Sequence, residues 1–180
     1  AELAQLQQRH RPLVVKDEID GIYARNGAVG FNASTSADLT NYVVSLPSNR
    51  LELWASIESE RMRQPVLREY YTERDVVLEE RSQRREARPG SRLDERLLAT
   101  AYTARPDRDA GIGWLPDVET LDIADTRDFY WEHYGPDNAV MVAVGDVEPE
   151  AFFALVERYF GDLTARGSQK SNAITEPKQT

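Results

Sequence analysis

Tyr70-Tyr71-Thr72-Glu73-Arg74-Asp75-Val76-Val77-Leu78-Glu79-Glu80-Arg81 is the stretch on which the fold and the chemistry of this chain turn. The spacing predicts an α-helix that gathers Glu73, Val76, Val77 and Glu80 on one core-facing stripe. The two glutamates stand two turns apart, roughly 10 Å along the axis. A carboxylate that shares a stripe with valines must reach water or find a cation, because burying it unpaired costs several kcal/mol. The helix alone leaves two readings open: a solvated edge, in which Glu73, Glu79 and Glu80 are surface helix formers, or a site that uses the two acids.

Outward from this helix the chain alternates helical and extended patterns. Ile19, Ile22 and Tyr23 recur at helical spacing, with Gly27 placed as a C-cap. Residues 28–34 then alternate, with Val29, Phe31 and Ala33 on one face and Asn32 on the other, and residues 40–46 answer with Tyr42, Val44 and Leu46. Closed by Ser36-Ala37-Asp38, the two read as an antiparallel hairpin. Pro47-Ser48-Asn49 opens a helix faced by Leu51, Trp54, Ile57 and Glu58, with Trp54 read as core, and Pro65 ends it.

On the other side, the Arg-rich run from Arg81 to Arg92 reads as a solvated helix end or loop, Pro89-Gly90 as a turn, and Leu93, Leu97 and Leu98 as the start of a further helix. Residues 105–113, rich in Pro, Asp and Gly, read as a loop. Asp125 is placed as the N-cap of a helix closed by Gly135-Pro136. Residues 139–144 form a continuous apolar run expected of a covered strand, and Pro149 begins a helix that turns Phe152, Leu155, Val156 and Tyr159 to the sheet. This order implies an α+β fold, an antiparallel or mixed sheet with helices packed on one face.

Composition bounds the partners. With 180 residues, 41% of them hydrophobic, the chain can bury a core. A net charge of −9 argues against nucleic acid, which needs clustered cations. No apolar run approaches the ~20 residues of a membrane span, and the absence of cysteine excludes disulfides and thiolate chemistry.

Several blocks together carry a resemblance: Gly30-Phe31-Asn32-Ala33-Ser34-Thr35-Ser36-Ala37-Asp38-Leu39-Thr40-Asn41-Tyr42, Leu51-Glu52-Leu53-Trp54-Ala55, the Glu73 and Glu80 helix, Gly113-Trp114 with Phe129-Tyr130, and Pro136-Asp137-Asn138-Ala139 leading into Val144-Gly145-Asp146-Val147. In that order, over residues 15–163, they resemble the pitrilysin/insulinase family of zinc metallopeptidases, which includes mitochondrial processing peptidase. The family holds zinc through an inverted motif, His-x-x-Glu-His, on one helix and a Glu from a later one. The resemblance implies that Glu80 is the distal zinc ligand and that Glu73 is an acid orienting a ligating His through its other ring N–H. It also implies that Asn32 and Ala33 lie on an edge strand along which a substrate peptide is laid by main-chain hydrogen bonds.

The departure is as informative as the match. There is no His-x-x-Glu-His in the chain, whose only histidines are His10 and His133. His133 is expected on an exposed helix face, and a lone carboxylate does not hold zinc tightly. The 180 residues are therefore expected to be inactive by themselves, with no catalytic residue of their own. Two explanations stand. The chain is a fragment of a zinc metalloendopeptidase whose metal-binding helix lies before residue 1, favoured by the start at Ala1 without Met and by both retained acids; or it is a naturally non-catalytic, peptide-binding subunit of a heteromeric peptidase. A pair of glycosidase carboxylates, a third possibility, lacks sugar-binding aromatics beside it.

On this reading residues 1–12 end an upstream helical insert, 13–163 form an incomplete metallopeptidase-like half-domain, and 164–180 are a polar linker or tail. The partners implied are a peptide or polypeptide substrate and a second homologous half or subunit. Localisation stays open between bacterial periplasm and cytoplasm. Where many members of the family carry His-Pro-Tyr, this chain has Arg105-Pro106-Asp107, which leaves that loop without an assigned role.

Overall fold

Seven α-helices and one antiparallel hairpin make up most of the regular structure of the described residues. The computed structural model describes residues 5, 6, 8, 9, 13–36, 38–86, 89–105, 108, 111–167 and 174–178. The elements run α1 (Glu18–Arg25), β1 (Val29–Thr35), β2 (Thr40–Ser45), α2 (Leu51–Arg63), α3 (Tyr70–Arg81), α4 (Pro89–Ala101), α5 (Leu115–Thr120), α6 (Ile123–His133) and α7 (Pro149–Phe160). The fold is α+β, as expected. Of residues 1–12, expected to end an upstream helical insert, 1–4, 7 and 10–12 lie outside the described residues. Among those described, no helix is long and apolar enough to cross a membrane.

The chain divides into two compact units. The first comprises residues 1–35, 40–68 and 131–168; the second comprises residues 36–39, 69–130 and 169–180.

In the first unit, α1 ends as its sequence dictates. Gly27, at φ 82°, takes the left-handed conformation, and Ala28 N–H closes back on the Tyr23 carbonyl at 3.0 Å. The hairpin pairs Asn32 with Val43 and Ala33 with Tyr42. Between Val29 and Asn32 the register slips by one residue, and Gly30 at φ 65° absorbs it as a β-bulge. The bulge breaks the simple alternation expected from Val29 to Ala33 and leaves Val29 exposed.

The core of this unit is small. Tyr23 is fully buried, its ring 5.0 Å from that of Phe31, and its hydroxyl donates to Glu58 Oε1 at 2.7 Å. Trp54 on α2 stands 6.0 Å from Phe152 and 6.0 Å from Phe160 on α7, over a fully buried Ala55. Each buried phenylalanine contributes about 1.5–3 kcal/mol, so this aromatic group is what joins α2 to α7.

Residues 139–144 correct an expectation. Their backbone is extended at Ala139, but no ladder joins the segment among the described residues. Val140, Val142 and Val144 are 91%, 76% and 94% exposed, while Met141 and Ala143 between them are half-buried. The period of two is present and one face is occupied. The other is bare, because no described strand or helix lies over it.

In the second unit, the Arg-rich run behaves differently from its sequence reading. Arg81 is buried: it donates to Glu95 Oε1 on α4 at 2.9 Å and to the Gly113 carbonyl at 2.6 Å. Pro89 is no turn residue but the first residue of α4, a position where its missing N–H costs nothing. A π-helical turn, Ser82–Glu86, stands between α3 and that helix.

The cap of α6 is Asp122 rather than Asp125. Asp122 Oδ1 accepts from the N–H groups of Ala124 and Asp125, while Asp125 Oδ2 accepts from the N–H of Asp122, a reciprocal capping box. Either acid satisfies the composition rule, but only this pairing satisfies three orphan donors.

Candidate functional site

The stripe predicted from α3 exists, and it is open. Glu73 and Val76 are exposed, Val76 by 54%, and Val77 and Glu80 are less so. The packed stripe is its neighbour on the helix. Arg74 reaches the Leu121 carbonyl at 3.3 Å and lies over the Tyr71 ring at 5.4 Å, Leu78 is half-buried, and Arg81 is buried. The sequence spacing turns the Glu73–Glu80 stripe to the core. Arginines whose guanidinium groups find backbone carbonyls and Glu95 take that place instead, because each brings stem carbons to bury and donors to spend.

Glu80 has found a cation. Its Oε1 lies 2.7 Å from Arg84 Nη2, one helical turn on, with both side chains accessible to water. The pair is an ordinary surface ion pair in energy, worth under about 1 kcal/mol.

Asn32 and Ala33 are both exposed on β1. Ala33, paired with Tyr42 across the hairpin, donates its N–H to Asn32 Oδ1 at 2.9 Å. Beside it an open depression of about 380 Å³ is lined by Asp17, Asp20, Phe31, Asn32, Ala33, Tyr42 and Arg61. Arg61 is anchored there by Glu58 at 2.9 Å and lies 5.0 Å over the Tyr42 ring.

Glu73 and Glu80 thus share one stripe in the second unit, and Asn32 and Ala33 are neighbours in the first. His133 is the last residue of α6 and half-buried rather than exposed, its carbonyl accepting from Asn138 Nδ2 at 2.9 Å. Among the described residues, no group of three or more His, Cys, Asp or Glu side chains is placed to hold a metal ion. By themselves these residues do not make a metal centre. Glu80 offers a hard oxygen donor, with no imidazole beside it among the described residues.

Comparison with known proteins gives this arrangement a context. A family model described as insulinase (peptidase family M16) matches residues 16–109, just over half of the chain, and one described as the peptidase M16 inactive domain matches residues 120–180. The zinc protease PqqE of Helicobacter pylori is 34% identical over 166 residues, 90% of this chain but 37% of that protein. The probable zinc protease PqqL of Escherichia coli is 32% identical over 139 residues, 74% of this chain and 15% of that protein. The crystal structure of a protease from Helicobacter pylori superposes with a TM-score of 0.77 at 33% identity, over 90% of this chain and 40% of that one. The chain spans about two fifths or less of the length of these relatives.

Proposed function

This chain belongs to the insulinase family of peptidases, family M16, and from that premise we propose that it forms part of a zinc-dependent metalloendopeptidase and is inactive alone. The observation that carries the reading is the open stripe of α3. Two carboxylates flanking two exposed valines form a surface that water alone serves poorly, and a helix bringing apolar residues and cationic or metal-bound partners would cover it.

Zinc, were it bound in a longer protein of this family, would supply Lewis-acid chemistry toward a peptide carbonyl. This chain's part would be to supply Glu80, now paired with Arg84, as a carboxylate ligand. Glu73 would accept the ring N–H of a ligating histidine and so fix its orientation. Asn32 would swing from the Ala33 N–H, freeing that donor to bind an extended peptide as an added strand. The bare valines of residues 139–144 support the same reading, since they too lack a cover among the described residues.

A second reading, a non-catalytic, peptide-binding subunit paired with an active homologue, is supported by the lack of any His-x-x-Glu-His in the 180 residues.

The test is metal content and peptide cleavage in the longer protein encoded by the same reading frame, with wild type and Glu80→Gln compared. We expect stoichiometric zinc in the wild type and its loss with cleavage in the variant, while the 180-residue chain keeps none after dialysis. Full zinc and activity in Glu80→Gln would remove Glu80 from the metal. A reading frame without any His-x-x-Glu-His would select the second reading.

A further inference from the structure

The turn after α4 holds a carboxylate. Three successive backbone N–H groups, those of Thr103, Ala104 and Arg105, converge on the side chain of Glu176. Thr103 N–H donates to Oε1, and Ala104 and Arg105 N–H donate to Oε2 at 3.1 and 3.0 Å. Successive N–H groups aimed at one point form an anion-binding nest. None of the three is needed by the helix, whose ladder ends where Tyr102 N–H meets the Leu98 carbonyl at 3.0 Å.

The nest is shaped without help from Glu176. Arg108 N–H donates to the Arg105 carbonyl at 3.2 Å, and the Arg108 guanidinium donates to the Thr103 carbonyl at 3.2 Å, so both ends of the turn are held by one residue. The Arg105 guanidinium lies over the Tyr102 ring at 5.7 Å, adding positive charge beside the site.

Glu176, by contrast, belongs to a strap with little else to hold it. In residues 174–178, Ile174 is 48% exposed and Thr175, Pro177 and Lys178 are exposed as well. A segment that buries so little apolar surface is fastened by its carboxylate, not by packing.

We propose that the Thr103–Arg105 turn is a carboxylate-binding site and that Glu176 is its tethered, displaceable ligand. A tethered group wins by effective concentration and not by any contact a free carboxylate lacks. The α-carboxylate of a peptide, or a small organic acid, presents the same two oxygens to the same three donors. The proposal does not depend on the peptidase reading.

The experiment follows the amide resonances of Thr103, Ala104 and Arg105 by NMR in the isotope-labelled 180-residue chain, in wild type, Glu176→Gln and Glu176→Ala. Sodium acetate, an acetylated dipeptide with a free carboxylate, or the same dipeptide as its amide is added at constant ionic strength. In both variants these three resonances should move saturably with acetate and with the acid peptide, and stay still with the amide. Wild type should need about tenfold more ligand, or greater, for the same movement. Movement with the acid peptide only assigns the site to peptide termini, and movement with both assigns it to carboxylates at large; each supports the proposal. It is overturned if neither variant responds while its spectrum stays dispersed, or if wild type and variants respond alike.

Discussion

Arg81 Nη2 and Glu95 Oε1 meet at 2.9 Å with both side chains withdrawn from water, and the same guanidinium donates to the Gly113 carbonyl. One buried cation thereby ties α3, α4 and the residue before Trp114 together. Removing it alone leaves a buried carboxylate and an orphaned carbonyl. Arg81→Met is expected to cost about 3–5 kcal/mol, read from urea denaturation, and Arg81→Met with Glu95→Leu to recover much of that, since an apolar pair of similar volume needs no partner. A cost for the single variant below about 1 kcal/mol would show that the pair does not hold the unit.

The Tyr23 hydroxyl gives a prediction about pH. Burial, and then its hydrogen bond and charge interaction with Glu58, push its pKa well above the usual tyrosine value, with the nearby Arg61 opposing. A group whose folded pKa is raised contributes stability in full below its unfolded pKa, about 10, and loses it as pH rises further. Tyr23→Phe is expected to cost about 1.5–3 kcal/mol at neutral pH, the range for a hydrogen bond to a charged acceptor. That deficit against wild type should shrink above about pH 10 in parallel urea titrations. A constant deficit would mean that the hydroxyl ionises as freely in the fold as in the unfolded chain.

What the sequence made legible follows period and punctuation. Gly27 after Asn26 marked the end of α1, Trp54 beside Leu51 marked a packed aromatic, and the alternation around Asn32 marked the hairpin, but not the bulge at Gly30 that breaks it. What it concealed depends on partners far away in the chain. Arg81 reads as solvated until Glu95, fourteen residues on, and the Gly113 carbonyl are seen to claim it. The stripe of α3 reads as core-facing because valines ordinarily are, and only the packing of Arg74 and Arg81 shows the helix rotated. Residues 139–144 state their conformation but not whether anything covers them. The carboxylate nest left no signature at all, because backbone N–H groups belong to every residue.

Those bare valines should tolerate what a covered strand does not. Val142→Lys in the 180-residue chain is expected to change stability by no more than about 0.5 kcal/mol, as for exposed positions elsewhere, and to raise solubility by breaking an apolar β-prone window. If the chain belongs to a longer protein, as proposed above, the same change there should destabilise by several kcal/mol where a further element lies over Val142. Thermal unfolding of the two lengths, each with and without the lysine, measures the difference. Equal tolerance in both would mean that this face stays open in the complete protein.

Acid should release the strap. The Thr103 N–H bond above all, then those of Arg105 and Ala104, hold the Glu176 carboxyl below the usual glutamate range, against a smaller opposing effect of desolvation. With a depressed folded pKa the contribution is present above the unfolded value of about 4.3 and disappears as pH falls through the folded one. The strap is therefore fastened at neutral pH and let go only in acid. The Ala104 amide resonance, followed from pH 7 downward, should hold its position until below about 4.3 and then move, and in Glu176→Gln the same step should be missing. A midpoint at or above the unfolded value, or a step that survives in the variant, would place the titrating group elsewhere and leave the three amides without their ligand.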